Sequence, residues 1–414
     1  MDPDNNTRAD IPIDAVTYET YQWKPGTPEL FSRAEVMRQT GAYEAAVPAR
    51  IANWSPRLTS EDAADIEDAT RRLVDFDTHS QRILGPEHTA LGPMSAILLR
   101  TESASSSQIE QLTASAKQIA LAEIADTRKP NARTVVGNVR AMEAALAQAT
   151  LFNEASVLAI HETLMRHQEG FAPDQAGTFR REQVWIGPGG AGPLRATFVP
   201  PHHKHVAGCM ADLIGFITRE DLPVLAQAAV AHAQFETIHP FTDGNGRTGR
   251  AIVHTIVKNK ALINSTIIPL SGGLLTQLED YFSALDAFRS GDAAPIIRAF
   301  AQAARFAVAS GTELVDNLHL ELQKSREALA GVRKDSVAWR ALPVFIGQPV
   351  MNAAFLMNVL AVNEVTALRA LNTLSERGVI TELTGRARNR IWQHRGILGV
   401  LDDYAAMIRR QARH

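Results

Sequence analysis

From Ser60 the chain takes on a helical rhythm. SEDAADIEDATRRLVDFD opens with Ser60 and two acids in its first turn, then sets Ile66, Leu73 and Val74 at helical spacing. The same period predicts helices over 135–149, 155–167, 206–218, 223–238, 247–260 and 284–309. Alanine is abundant and β-branched runs are short, so the body up to about residue 330 reads as mainly α. The first 55 or so residues, with Trp23, Pro25, Gly26, Pro28 and Trp54, show little periodicity. They read as extended chain wrapped over a helical body.

One segment departs from the helical pattern. In TFRREQVWIGPGGAGPLRATFVP (178–200), Gln183, Val184, Trp185 and Ile186 predict a short strand. A glycine- and proline-rich tip follows, and 196–199 predicts the returning strand. Such a β-hairpin is either a surface excursion or a flap that pairs with an extended peptide by strand addition.

The last section has its own charge. Residues 331–414 hold 12 Lys+Arg and 6 Asp+Glu, a net +6, whereas the first 330 residues carry 30 and 39, a net −9. Here the pattern predicts a helix over 350–360, a short turn, a second helix over 364–377 and strands near 379–381 and 391–392. A tip bearing Arg386, Arg388 and Arg390 lies between those strands. Two helices, a turn and a basic hairpin read as a winged helix-turn-helix.

Across all 414 residues the balance is ordinary: 45% hydrophobic, 21% charged and a net charge of −3. That excludes a disordered chain and a polybasic nucleic-acid binder. The single cysteine, Cys209, allows no internal disulfide. The uncharged stretch 341–363 is long enough to cross a bilayer, but Pro343, Gly347, Gln348, Pro349, Asn352 and Asn358 interrupt it, so it reads as two elements outside a membrane. The polar, acidic start shows no signal peptide. The expectation is a cytoplasmic protein.

The chemistry concentrates at His239-Pro-Phe-Thr-Asp-Gly-Asn-Gly-Arg-Thr-Gly-Arg250. Pro240 ends the preceding helix, and the next begins near Arg247. Gly244 and Gly246 let the backbone approach a ligand and turn N–H groups toward it, at a helix end that favours anions. Arg247 and Arg250 lie on one helix face. Amides, a helix dipole and two guanidiniums suit a polyphosphate. Asp243 offers a hard oxygen to Mg²⁺, and His239 can take a proton near neutral pH. Asp243 and Asn245 also open like a calcium loop, but Arg247 and His254 stand where that loop needs ligands. His161, Glu162 and His167 lack zinc-protease spacing and read as an exposed helix, and His202, His203 and His205 read as a solvated helix start.

At these residues the chain resembles the Fic family, whose signature His-Pro-Phe-x-Asp/Glu-Gly-Asn-Gly-Arg-x-x-Arg it matches throughout. The resemblance implies a mainly α fold. It comprises an N-terminal segment with an inhibitory helix (1–120), a Fic helical core with a β-hairpin flap (121–325) and a C-terminal winged helix-turn-helix (331–414). It implies transfer of AMP from ATP to a Ser, Thr or Tyr hydroxyl of a target protein. His239 would be the general base and Asp243 the Mg²⁺ ligand. Gly244, Asn245, Gly246, Arg247 and Arg250 would hold the phosphates, and residues 183–186 would clamp the target. The glycines at 244 and 246 imply an ATP whose α-phosphorus faces His239. Ser106 and Glu110, in Glu-Ser-Ala-Ser-Ser-Ser-Gln-Ile-Glu-Gln (102–111), resemble the family's inhibitory motif, except that Gln111 stands where Gly or Asn is usual. Gln adopts a left-handed cap less readily, so this helix is expected to run on or sit differently. The alternative for Ser107 and Glu110 is a capping box at a helix start. Self-modification, DNA contact through 331–414 and a homodimer remain open. So do the alternative functions of a nucleotide-sensing DNA-binding regulator and of transfer of another phosphate-containing group.

Overall fold

Two strands come first, where the sequence reads as plain extended chain. The computed structural model describes residues 10–84, 91–127, 129–147, 152–166, 168–188, 190–385 and 389–412. β1 (Thr17–Trp23) and β2 (Gly41–Val47) pair antiparallel, Thr17 opposite Val47 and Trp23 opposite Gly41, with α1 (Arg33–Arg38) in the connection. β1 is Thr-Tyr-Glu-Thr-Tyr-Gln-Trp, rich in the β-branched and aromatic residues that fit a pleated surface. Tyr21 and Tyr43 face each other across the pair, ring centres 5.8 Å apart. The chain before β1 does wrap the helical body, with Ile11 accepting the Ala293 amide at 2.9 Å.

The helical body follows as α2 (Ser60–Leu84), α3 (Leu91–Ile109), α4 (Ala116–Glu123), α5 (Pro130–Ala147) and α6 (Glu154–Met165). After the flap region come α7 (His203–Ile217), α8 (Val224–Ile238), α9 (Asn245–Asn259), α10 (Leu270–Thr276), α11 (Leu278–Arg289) and α12 (Ala294–Ala328). Thr59, one residue before the expected cap, accepts the Asp62 amide at 3.0 Å and starts α2. Ile66 and Leu73 are buried, but Val74 is 44% exposed and lies off the core stripe. The helix expected over 284–309 is two helices. Gly291, at φ 105°, turns the chain, and Asp292 caps the next helix by accepting the Ala294 amide at 2.9 Å. α12 packs along α2, while α8 is buried on every face from Leu225 to Ile238. That makes α8 the central rod from which the His239–Arg250 segment leaves.

The C-terminal section runs α13 (Val337–Gly347), β3 (Val350–Asn352), α14 (Ala353–Leu360), α15 (Glu364–Glu376), β4 (Thr381–Glu382), β5 (Ile391–Gln393) and α16 (Arg395–Gln411). Residues 350–352 form a strand, not the expected helix start, because Asn352 caps α14 by accepting the Phe355 amide at 2.9 Å. The sheet order is β3–β5–β4, antiparallel, and α14 meets α15 at 112°. Arg390 is already engaged: it bonds Glu382 through Nε at 2.8 Å and lies 4.7 Å over the Trp392 ring. Arg386 and Arg388 lie outside the described residues. One hydrophobic core runs from Ile11 to Ile408 and includes Leu356, Ala367 and Trp392. Among the described residues no single helix is long and apolar enough to cross a membrane.

Candidate active site

The signature loop joins α8 to α9. His239 ends α8 in the left-handed conformation (φ 49°, ψ 62°), and Pro240 bars the helix from continuing by disfavouring right-handed α geometry at the residue before it. Phe241 is fully buried and stacks on His161, ring centres 3.6 Å apart and planes 2° from parallel. His161 was expected on an exposed helix; it is buried, its Nε2 3.0 Å from the Asp243 carbonyl and its Nδ1 accepting the Gly177 amide at 3.0 Å. Burial pushes its pKa down to about 4, so it is neutral, and Nε2 donates. Asn245 accepts the Phe241 amide and donates to the Phe241 carbonyl, both at 2.9 Å. Its side chain therefore holds the loop instead of facing a phosphate, and what it can offer a ligand is its backbone. Gly244 (φ 77°) caps α9; a Cβ there would come within 2.8 Å of the Met165 sulfur.

Two arginines lie buried beneath the loop. Arg247 donates one bond to Gln168 at 2.8 Å, while its Nε and Nη1 have no partner. Unpartnered buried donors at a helix N-terminus are what an anion would satisfy. Gln168 also donates to Asp243, so one side chain joins the two residues. Asp243 is half-exposed and accepts the Gly244 amide at 2.5 Å. Among the described residues no group of three or more His, Cys, Asp or Glu is placed to hold a metal.

α3 delivers the occupant of Arg250. Arg250 donates to the Ser106 hydroxyl and carbonyl, both at 2.8 Å, and to Glu110 Oε1 at 2.9 Å. The Glu110 carboxylate lies against Gly246, where a Cβ would come within 2.0 Å of its oxygen. Although burial works the other way, the Glu110 charge holds the Arg250 pKa above its ordinary value. α3 ends here and does not begin, so the capping-box alternative fails. Gln111 does take the left-handed conformation (φ 61°), and Leu112 donates back to the Ser107 carbonyl at 2.9 Å. The helix therefore stops despite lacking Gly. Glu102, one to two turns earlier and fully buried, faces His254 at 2.8 Å and accepts the Ser271 amide at 2.9 Å.

His239 keeps its Nδ1 buried without a hydrogen bond, 3.8 Å from Glu236 Oε2. Burial, helped by Arg180 and Arg289, brings its pKa down to about 4, so the ring is neutral at physiological pH. Arg180, invisible to sequence reasoning, ties the flap to this loop. It donates to the His239 carbonyl at 2.8 Å, to Glu182 at 2.9 Å and to Pro201 at 2.5 Å.

Among its described residues the flap holds a single antiparallel bridge, Ile186 opposite Phe198, not the longer hairpin expected. A short 3₁₀ turn at Pro193–Arg195 and the glycines take up the rest. Gln183 turns inward, donating to Pro200 at 2.8 Å and accepting from Tyr43 at 3.3 Å. Trp185 packs edge-on to Trp23, 5.4 Å between centres, and the Ala46 amide donates to Val199 at 2.9 Å, so β1 and β2 together brace the flap. Val184 and Ile186 are half-buried. His202 caps α7 and His205 lies 2.9 Å from Glu19, as befits a helix start.

The helical body thus presents a glycine-lined helix N-terminus, two buried arginines and a neutral histidine around one loop. Residues 151–257 match the Fic/DOC family, and the chain contains a Fic domain. Over 160 residues it is 30% identical to the protein adenylyltransferase Fic of Drosophila erecta, covering 38% of this chain and 29% of that one. Over 145 residues it is 28% identical to the protein adenylyltransferase fic-1 of Caenorhabditis briggsae, covering 34% and 25%. The match thus spans under a third of those relatives' length. The crystal structure of a Fic family protein from Desulfovibrio desulfuricans G20 shares the fold, with a TM-score of 0.53 and 22% identity over 82% of this chain and 98% of that one.

Proposed function

We propose that this chain transfers AMP from ATP to a hydroxyl side chain of a target protein and that Glu110 restrains the reaction. The observation that carries this is the pairing of unpartnered Arg247 donors at the N-terminus of α9 with a neutral His239 at the loop's mouth. The β- and γ-phosphates take the α9 amides, Arg247 and Arg250, which leaves the α-phosphorus toward His239. The target oxygen bonds to that phosphorus, the bond to pyrophosphate breaks, and the hydroxyl proton passes to His239 Nε2. Asp243 has the hard, half-exposed oxygen that a phosphate-held Mg²⁺ uses, and that ion would neutralise charge on the leaving pyrophosphate. The flap backbone at 184–186, braced by Gln183, Trp185 and Arg180, would hold the target segment beside His239.

Glu110 occupies the arginine that an outer phosphate needs, because guanidinium binds carboxylate and phosphate with the same fork. Nucleotide would then sit displaced, and about 1 Å of misplacement costs on the order of 10²-fold in rate. The test is incorporation of label from α-labelled ATP into protein. Glu110→Gly should raise it at least tenfold, and His239→Ala in that background should abolish it while ATP still binds. Label transfer that survives loss of His239 would refute the mechanism.

A further inference from the structure

The strongest unexplained group in the molecule is a buried carboxylate. Glu236, one turn before His239 on α8, is 7% exposed, and its Oε1 has no hydrogen-bond partner. The polar groups around it are only partly engaged elsewhere. On α9, Arg250 is taken by Ser106 and Glu110. On α11, Arg289 bonds Asp286 at 2.9 Å through Nη1 but keeps its Nε without a partner, and Tyr281 meets His232 Nε2 at 2.7 Å while His232 Nδ1 is likewise unpartnered. Gly249 lies directly over the carboxylate, where a Cβ would stand 3.3 Å from Oε1. Toward the loop the carboxylate faces His239, whose Nδ1 is equally without a partner 3.8 Å from Oε2. Two buried, unsatisfied groups thus face each other across less than 1 Å of missing contact, and catalytic hydrogen bonds are often this long before substrate binds.

We propose that Glu236 is a positioning residue for His239: its carboxylate holds the Nδ1–H tautomer and leaves Nε2 free to accept the target's hydroxyl proton. This deepens the proposed AMP transfer and rests on it. As oxygen bonds to the α-phosphorus and pyrophosphate leaves, the proton arrives on Nε2 and the ring becomes an imidazolium. Glu236 then faces that positive charge and stabilises it, and the proton returns to water from Nε2 when product departs. The carboxylate stays ionised throughout the step.

The arrangement predicts a pH switch. Burial raises the Glu236 pKa to about 7; Glu110 adds to the rise, and Arg250 and Arg289 oppose it. His239 itself is neutral down to about 4, with Arg180 and Arg289 pressing the same way as burial and Glu110 and the Glu236 backbone carbonyl opposing. Between those values the ring does not titrate, but Glu236 does. Once protonated it becomes a donor, directs its O–H at Nδ1 and forces the ring proton onto Nε2. The base is then lost although the histidine is uncharged.

The test uses the full chain with ¹⁵N-labelled histidine, without nucleotide, followed by NMR from pH 5.5 to 8.5. Wild type should show His239 as the Nε2–H tautomer at the acidic end and Nδ1–H at the alkaline end. Glu236→Gln, a change of nearly equal volume, should show no transition. A single tautomer across the range in wild type would overturn the proposal. In parallel, AMP incorporation in the Glu110→Gly background should rise about tenfold per unit through the foot of an acid limb, which lies below the wild-type value because Glu110 no longer raises Glu236. Adding Glu236→Gln should lower kcat at pH 8.5 at least tenfold, leave the KM for ATP unchanged and remove that limb. A uniform loss at every pH would mark Glu236 as merely structural and overturn the proposal, whereas Glu236→Asp should restore the limb. If no variant transfers AMP while the tautomer transition is present, the proposed activity falls and the hold of Glu236 on the ring stands.

Discussion

At the scale of single residues, the loop is held by side chains distant in sequence. His161 stacks on Phe241 and secures both Asp243 and Gly177. Removing it leaves a buried amide and carbonyl unpaired beside a cavity. His161→Ala should therefore cost about 2–4 kcal/mol in urea unfolding and lower AMP incorporation well beyond tenfold. A variant with unchanged activity would show that the loop keeps its shape without the stack. Gln111 tests the other end of the site. It holds a left-handed conformation that costs a side-chain-bearing residue about 1 kcal/mol relative to glycine. Gln111→Gly should thus strengthen the stop of α3 and deepen the restraint, lowering the basal transfer rate severalfold. A higher rate would show that the stop of α3 does not set the position of Glu110.

At the scale of elements, α3 and α8 divide the work. α8 is buried on all faces and sets His239 and Glu236 one turn apart. α3 is pinned through polar contacts: Glu102 to His254 and Ser271, Ser106 to Arg250. Replacing the fully buried Glu102 with alanine strands His254 and the Ser271 amide. The expected loss is about 2–4 kcal/mol, with AMP incorporation rising because Glu110 is then less firmly held. Destabilisation without activation would separate the anchoring of α3 from restraint. The β1–β2 pair has a comparable part for the flap, since Trp23 on β1 and Tyr43 and Ala46 on β2 support the segment that carries residues 183–186.

At the scale of the whole molecule, one core joins the chain from Ile11 to Ile408, and α13 packs on α3. The C-terminal section thus bears on the helix that carries Glu110. The pooled buried histidines set a pH dependence of stability. Burial lowers His161, His239 and His394 to about 4 and His232 to about 3. Each is neutral when folded and takes a proton near pH 6.5 when unfolded, so stability is lost as pH falls from 6.5 toward 4. Glu236 opposes this: it binds a proton in the folded state between about 4.5 and 7, favouring folding at lower pH. Four groups against one leave the histidines dominant, with a loss on the order of a few kcal/mol. The Tm should drop between pH 6.5 and 5. A flat profile would mean that these rings are protonated in the folded protein.

The helical class and the loop His239–Arg250 were legible in the sequence because each is local, whereas Glu110 was singled out only by its resemblance to the family's inhibitory motif. Helical period, a proline stop, paired glycines and arginines three apart are set by neighbours along the chain. The helix–turn–helix order of the last section was legible for the same reason, though not the strand at 350–352. Other features were decided by tertiary structure alone. Whether Asn245 faces ligand or loop depends on the Phe241 backbone, and whether Arg390 is free depends on Glu382. His161 becomes part of the site only when α6 meets Phe241, and Arg180 only when the flap returns to the α8 terminus. The environment of Glu236 is assembled from α3, α8, α9 and α11, so no single stretch of sequence could carry it. Burial and long-range pairing set the protonation of such groups, and both exist only once distant segments exclude water together.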